Sequence, residues 1–223
     1  MVERIPTGIE GFDELIQNGL VKGSTVLVSG GPGTGKSIFC LQALYNNSLK
    51  GKKTLFITFE QSPERVLMQM EQFGWKPKEL KNLEIVFLDN SSPTIVEEVF
   101  DLIKKSNCEL LAIDSVSSIL SSPLSRDTPV DIENINRLRT KQLFNLVLKS
   151  NITAFFINEI VYPETGIKGD GLSEFLCDGI IVLKALAISK TFHRTIQVAK
   201  LRYTDADCSI KAFNITKDGV ILD

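Results

Sequence analysis

The 223-residue chain predicts one α/β domain, 1–223, with a mostly parallel sheet flanked by helices and a C-terminal antiparallel strand extension. Three observations predict it. Short runs rich in β-branched and aromatic residues alternate with helix-length stretches as far as Ile157. Those runs are apolar on both faces, as strands are when helices cover both sides of a parallel sheet. Beyond Ile157, strand-like runs follow one another across short gaps, which reads as antiparallel pairing.

In chain order, "STVLVSG" is a strand that meets a glycine-rich turn and a helix from about Lys36 to Lys50. "TLFITFE" is the next strand. After it, Ser62 supplies a helix cap, Pro63 suits the first helical position, and Val66, Leu67, Met70 and Phe73 recur at helical spacing. "EIVFLD" precedes a helix with Ile95, Val99, Phe100 and Ile103 on one face. "ELLAIDS" leads towards a long helix near Ile132 to Lys149, and "ITAFFIN" closes the alternation. "GIIVLKALA", "FHRTIQVAKLR", "IKAFNIT" and "GVILD" form the antiparallel extension. No internal repeat or linker composition interrupts the chain.

Composition narrows the function. A hydrophobic fraction of 43% supports one sizeable core. Lys+Arg of 25 against Asp+Glu of 27 lacks the strongly basic field of a nucleic-acid binder, although a local basic groove remains compatible with it. Cys40, Cys108, Cys177 and Cys208 are widely spaced and there is one histidine, His193, a poor basis for a zinc cluster. The cysteines read as small buried hydrophobes in a reducing compartment. "MVERIPTGIEGFDELI" carries charges where a signal peptide needs an apolar core, and no run is long enough to span a membrane. A soluble, cytoplasmic protein is expected.

The chemistry concentrates at strand ends. Gly30-x4-Gly35-Lys36-Ser37 is a complete phosphate-loop motif, placed between a strand and a helix. Backbone N–H groups over Gly31, Gly33, Thr34 and Gly35, and on through Lys36, Ser37 and Ile38, are expected to cradle the phosphates of ATP. The Lys36 ammonium then meets the β- and γ-phosphates, and the Ser37 hydroxyl ligates Mg2+. Asp114 ends the strand "LLAID" at the same sheet edge and suits the magnesium shell; a helix cap is its other reading. Glu60, the first polar group after "TLFITF", is placed to orient and deprotonate an attacking water; first-turn helix charge explains it less well. Asn158 and Glu159 follow the last core strand, where γ-phosphate sensing and a turn role are equally compatible. His193 reads as an ordinary strand residue and Trp75 as a packing residue.

"IPTGIEGFDELIQNGLVKGSTVLVSGGPGTGKS" resembles the opening of the KaiC-like ATPases of the RecA superfamily. "TFEQS" is similar to that family's strand with two adjacent glutamates, "LLAIDSVSSI" to its magnesium strand, and "EFLCDGIIVLK" through "VAKLRYT" to its C-terminal hairpin. The resemblance spans nearly the whole chain as a single domain, and implies a RecA-like P-loop NTPase core. It implies a homo-oligomeric ring, usually a hexamer, with ATP at each subunit boundary. It further implies that a Lys-x-Arg pair, here Lys200 and Arg202, acts in trans on the neighbour's γ-phosphate. Without the resemblance, those two residues would read as the solvent face of a strand.

The chain departs from the family pattern at three places. Gln61 stands where the second glutamate is expected. Tyr203 and Ala206 stand where a Gly and a His often follow the Lys-x-Arg pair. Glu174-Phe175 precede "CD" where the autophosphorylating half of KaiC has Ser-Thr, which favours ATP hydrolysis over protein kinase activity. The resulting expectation is a slow ATPase ring acting as a nucleotide-driven switch or signalling platform for an unidentified protein partner. Two other readings compete with it. One is a short RecA-type recombinase paralogue that binds single-stranded DNA; "YPETGIKGDGLS", with Lys168 against Glu164 and Asp170, is a poor phosphate surface for that. The other is a non-hydrolysing, nucleotide-sensing scaffold, suggested by Gln61 and Ala206.

Overall fold

The structure, a computed structural model, describes residues 2–92, 94–120, 132–159, 172–188 and 191–222. At its start β1 (Arg4–Ile5) pairs antiparallel with β2 (Leu20–Val21), with a 3-10 turn at Asp13–Ile16 between them. There follow β3 (Thr25–Gly30), α1 (Lys36–Leu49), β4 (Thr54–Thr58), α2 (Pro63–Gln72), β5 (Leu83–Phe87) and α3 (Ile95–Ser106). The next are β6 (Leu110–Asp114), α4 (Val116–Leu120), α5 (Ile132–Lys149), β7 (Thr153–Glu159) and α6 (Leu172–Leu176). The chain closes with β8 (Gly179–Ile188), β9 (Thr191–Leu201), β10 (Lys211–Thr216) and β11 (Gly219–Leu222).

Among the described residues, β3 to β11 form a nine-stranded sheet in the order β11-β10-β9-β8-β3-β7-β6-β4-β5. Strands β8, β3, β7, β6, β4 and β5 run parallel, and β9, β10 and β11 extend the sheet antiparallel. Every residue of β3, β4 and β6 is buried, as their two-sided apolar runs require. One core lies between the sheet and α1 with α2, where Phe39 meets Phe12 edge-on at 5.0 Å and Phe155 at 6.1 Å. The other lies beneath α3 and α5, where Phe144 stacks on Phe156 at 4.3 Å.

Two expectations are corrected here. "GIIVLKALA" is β8, but it pairs parallel with β3, from Val26↔Gly179 to Gly30↔Leu183, so the antiparallel extension begins one strand later, at β9. A parallel neighbour needs a crossover, and the stretch containing α6 supplies its length. Of the four cysteines, Cys40, Cys108 and Cys177 are buried, whereas Cys208 is exposed in the β9–β10 connection. Trp75 packs as expected, stacked on Tyr45 at 5.3 Å, with its Nε1 donating to the Asp218 carbonyl at 3.1 Å.

Candidate nucleotide site

The site grows from the C-terminal ends of β3, β4, β6 and β7, which pairing brings to one edge: Gly30 lies beside Glu159, and Thr58 beside Asp114. Between β3 and α1 the chain turns through positive φ at Gly33 (72°) and Gly35 (100°), conformations that disfavour a side chain. A Cβ on Gly35 would also lie 2.8 Å from the Ile215 Cδ1 atom. α1 starts at Lys36, directly after this loop, so the positive end of its dipole lies at the loop.

Lys36 is 7% exposed, and its Nζ donates to the carbonyls of Gly30 at 3.0 Å and Gly31 at 2.9 Å. Burial lowers its pKa, while Glu159, Asp114 and Glu60 oppose that shift through their charges. Thr34 is buried, and its hydroxyl closes the loop by donating to the Gly31 carbonyl at 2.9 Å. The Ser37 hydroxyl donates to Asp114 Oδ2 at 2.6 Å. Asp114 is 6% exposed, and burial pushes its carboxyl up to about 6, with the Ser37 hydrogen bond pulling the other way.

A cleft of about 400 Å3 opens in front of the loop, lined by Gly33, Gly35, Lys36, Ser37, Ile38, Glu60, Gln61, Asp114, Glu159, Arg194 and Ile215 among others. Glu60 is exposed on its wall, in the turn after β4 where its backbone N–H donates to Thr58 Oγ1 at 3.2 Å. Gly31 and Thr34 belong to the loop behind that lining. An adjacent hydroxyl and carboxylate are the hard oxygen donors that magnesium takes, alongside phosphate and water oxygens. Among the described residues, no cluster of three or more His, Cys, Asp or Glu offers a fuller metal cage. The donor set fits a nucleotide-borne magnesium ion.

Two expected residues lie elsewhere. Lys200 and Arg202 stand at the end of β9, where Leu201 pairs with Gly179 and Gly179 with Val26. That is the opposite edge of the sheet from Gly30, a separation of about 13 Å along β3 from strand rise alone. Neither lines the cleft. Lys200 Nζ donates to the carbonyls of Glu174 at 2.9 Å and Cys177 at 2.6 Å, and Arg202 pairs with Asp178 at 3.4 Å.

The structure also adds Arg194 and Ile215 to the site. Arg194 reaches the cleft because β9 folds back beside β8, pairing Arg194 with Ala185 near the phosphate-loop edge. Only that register could have revealed it, since the residue sits in an ordinary alternating run. His193 is exposed on the same strand. The segment "YPETGIKGDG" lies outside the described residues.

The fold and the loop together define a phosphate-loop nucleotide-binding domain of RecA type. A family model for the KaiC ATPase matches residues 5–223, and the chain belongs to that family. It is similar to the circadian clock oscillator protein KaiC of Parathermosynechococcus lividus, 30% identical over 96% of this chain and 41% of that protein. KaiC of Nostoc sp. strain PCC 7120 is also 30% identical, over 98% of this chain and 44% of that protein. The chain thus spans well under half the length of these curated relatives. Among solved structures, a KaiC-like protein from Pyrococcus horikoshii OT3 superposes with a TM-score of 0.86 at 27% identity, covering 100% of both chains. Among the described residues, no helix is long and apolar enough to cross a membrane.

Proposed function

We propose that copies of this chain assemble into a ring, a hexamer as the family resemblance implies, that binds ATP at each subunit boundary and hydrolyses it slowly. The ring serves as a nucleotide-driven switch for a protein partner. One observation carries this reading: the phosphate loop and the Lys200–Arg202 pair occupy opposite edges of one sheet. A subunit that holds nucleotide at one edge and carries a Lys-x-Arg pair at the other can set that pair against the nucleotide of a second copy.

In this mechanism, the loop N–H groups and Lys36 hold the β- and γ-phosphates. Magnesium, when bound with the nucleotide, neutralises phosphate charge, and Ser37 with Asp114 are the residues that hold it. Glu60 orients a water in line with the γ-phosphorus and accepts its proton as the new P–O bond forms and the bond to the β-phosphate oxygen breaks. Arg202 and Lys200 of the neighbouring subunit stabilise the charge that spreads over the transferring group. Gln61 accepts no proton at neutral pH, so Glu60 works without an adjacent carboxylate, which favours slow turnover.

Size-exclusion chromatography with light scattering, with and without ATP and magnesium, followed by ATPase assay of each peak, tests the proposal. Activity is expected in the ring fraction. A monomer that hydrolyses ATP at the ring's rate contradicts it, and a ring that binds ATP without turnover supports the scaffold reading instead.

A further inference from the structure

The Lys200–Arg202 arm is held more firmly than a strand end requires. The Arg202 backbone N–H donates to the Asp178 carbonyl at 2.8 Å. Its Nη1 donates to Asp178 Oδ1 and its Nη2 to the Phe175 carbonyl, both at 3.4 Å. The other oxygen of Asp178, Oδ2, accepts from the Thr25 backbone N–H at 3.0 Å and the Thr25 hydroxyl at 3.1 Å. The Asp178 backbone N–H donates to the Thr25 carbonyl at 2.8 Å. Asp178 is therefore riveted to the first residue of β3, the strand whose far end opens the phosphate loop. Its side chain is 15% exposed, against 44% for Arg202.

The turn beyond is braced from a third direction. Arg4 Nη2 donates to the Tyr203 carbonyl at 3.3 Å, and Nη1 to Thr204 Oγ1 at 3.1 Å. The same guanidinium is anchored to the Gly19 carbonyl at 2.8 Å and Gln17 Oε1 at 2.7 Å. A half-exposed Arg–Asp pair adds little to stability. What it does is fix a direction: a planar guanidinium that gives two of its N–H groups to fixed acceptors can turn its remaining face only one way.

We propose that Asp178 is a positioning residue for Arg202, aiming its guanidinium at the neighbouring subunit's nucleotide, with Arg4 bracing the turn that follows. The inference rests on the trans-cation reading above. Asp178 touches no substrate and acts only through Arg202. Because Asp178 is also tied to Thr25, each subunit's arm is registered to the strand that carries its own phosphate loop.

The test uses Asp178→Asn, an isosteric change that keeps an acceptor for Thr25 and removes the charge facing Arg202. Rings of this variant are expected to assemble and bind ATP with unchanged affinity, while kcat falls by about 10- to 100-fold, the scale expected when a catalytic group is misplaced. Rings mixed with Glu60→Gln should regain turnover, because some boundaries then pair an intact Glu60 with an intact arm. Rings mixed with Arg202→Ala should not, because both chains lack the same arm. A merely structural defect at Thr25 would disturb the subunit's own phosphate loop, and Glu60→Gln could not rescue it. If Asp178→Asn fails to fold, Arg4→Met, which loosens the same turn from the other side, should show the same rescue pattern. Wild-type turnover in Asp178→Asn overturns the proposal. So does a loss that Glu60→Gln does not rescue in conditions where it rescues Arg202→Ala. If Arg202→Ala itself is not rescued, the trans-cation reading has failed and this inference falls with it.

Discussion

Lys36 and Asp114 are both ionisable groups in buried positions, and their partners explain why the chain tolerates this. Lys36 finds two carbonyls and three surrounding carboxylates, and Asp114 finds the Ser37 hydroxyl. Lys36→Ala removes the cation seated in the phosphate loop and should abolish nucleotide binding measured by calorimetry; unchanged affinity in the folded variant contradicts the phosphate-loop assignment. Asp114 tests burial directly. Its carboxyl is pushed up to about 6 from an ordinary 3.8, so the folded state holds that proton more tightly than the unfolded chain. The resulting cost is absent below pH 3.8, grows as pH rises towards 6, and is complete at pH 7. Asp114→Asn should therefore melt higher than the parent at pH 7, by something of the order of 5 °C, without nucleotide or magnesium. The gain should vanish near pH 4. A lower melting temperature at pH 7 would mean that the charged carboxylate is stabilising where it stands.

At the scale of elements, the strands that build the site were legible in the sequence because burial on both faces leaves an uninterrupted apolar run. Positions of polar residues at the ends of "TLFITF" and "LLAI" then placed Glu60 and Asp114 at the site edge. Direction was harder to read. The β8 run looks the same whether its neighbour is parallel or antiparallel, and only its pairing with β3 decides it. The five-residue helices α4 and α6 are too short for a helical period to show. Arg194 stayed hidden for a related reason: the β8–β9 register carries it to the cleft, and no local motif marks it. Phe39 links α1 to both the N-terminal segment and β7, so Phe39→Ala should lower stability by about 3–5 kcal/mol in urea unfolding. A loss below about 1 kcal/mol would show that the Phe12–Phe39–Phe155 contact does not hold α1 in place.

For the whole molecule, the two-edged layout is the feature on which the proposed function rests. The Lys-x-Arg spacing was visible in the sequence, but its meaning there came from family resemblance, since alternation alone describes any amphipathic strand. The sheet adds their placement: Lys200 and Arg202 sit at the edge away from their own loop and are held there by Glu174, Cys177 and Asp178. The most direct measurement is ATPase activity in mixed rings of Arg202→Ala and Glu60→Gln, co-expressed with different tags and purified through both. Each variant alone should bind ATP and turn it over poorly. Mixed rings should exceed the sum of the two, because some boundaries unite an intact Glu60 with an intact Arg202. Activity no higher than that sum, in rings verified to contain both chains, would contradict the account and return Lys200 and Arg202 to the surface of an ordinary strand.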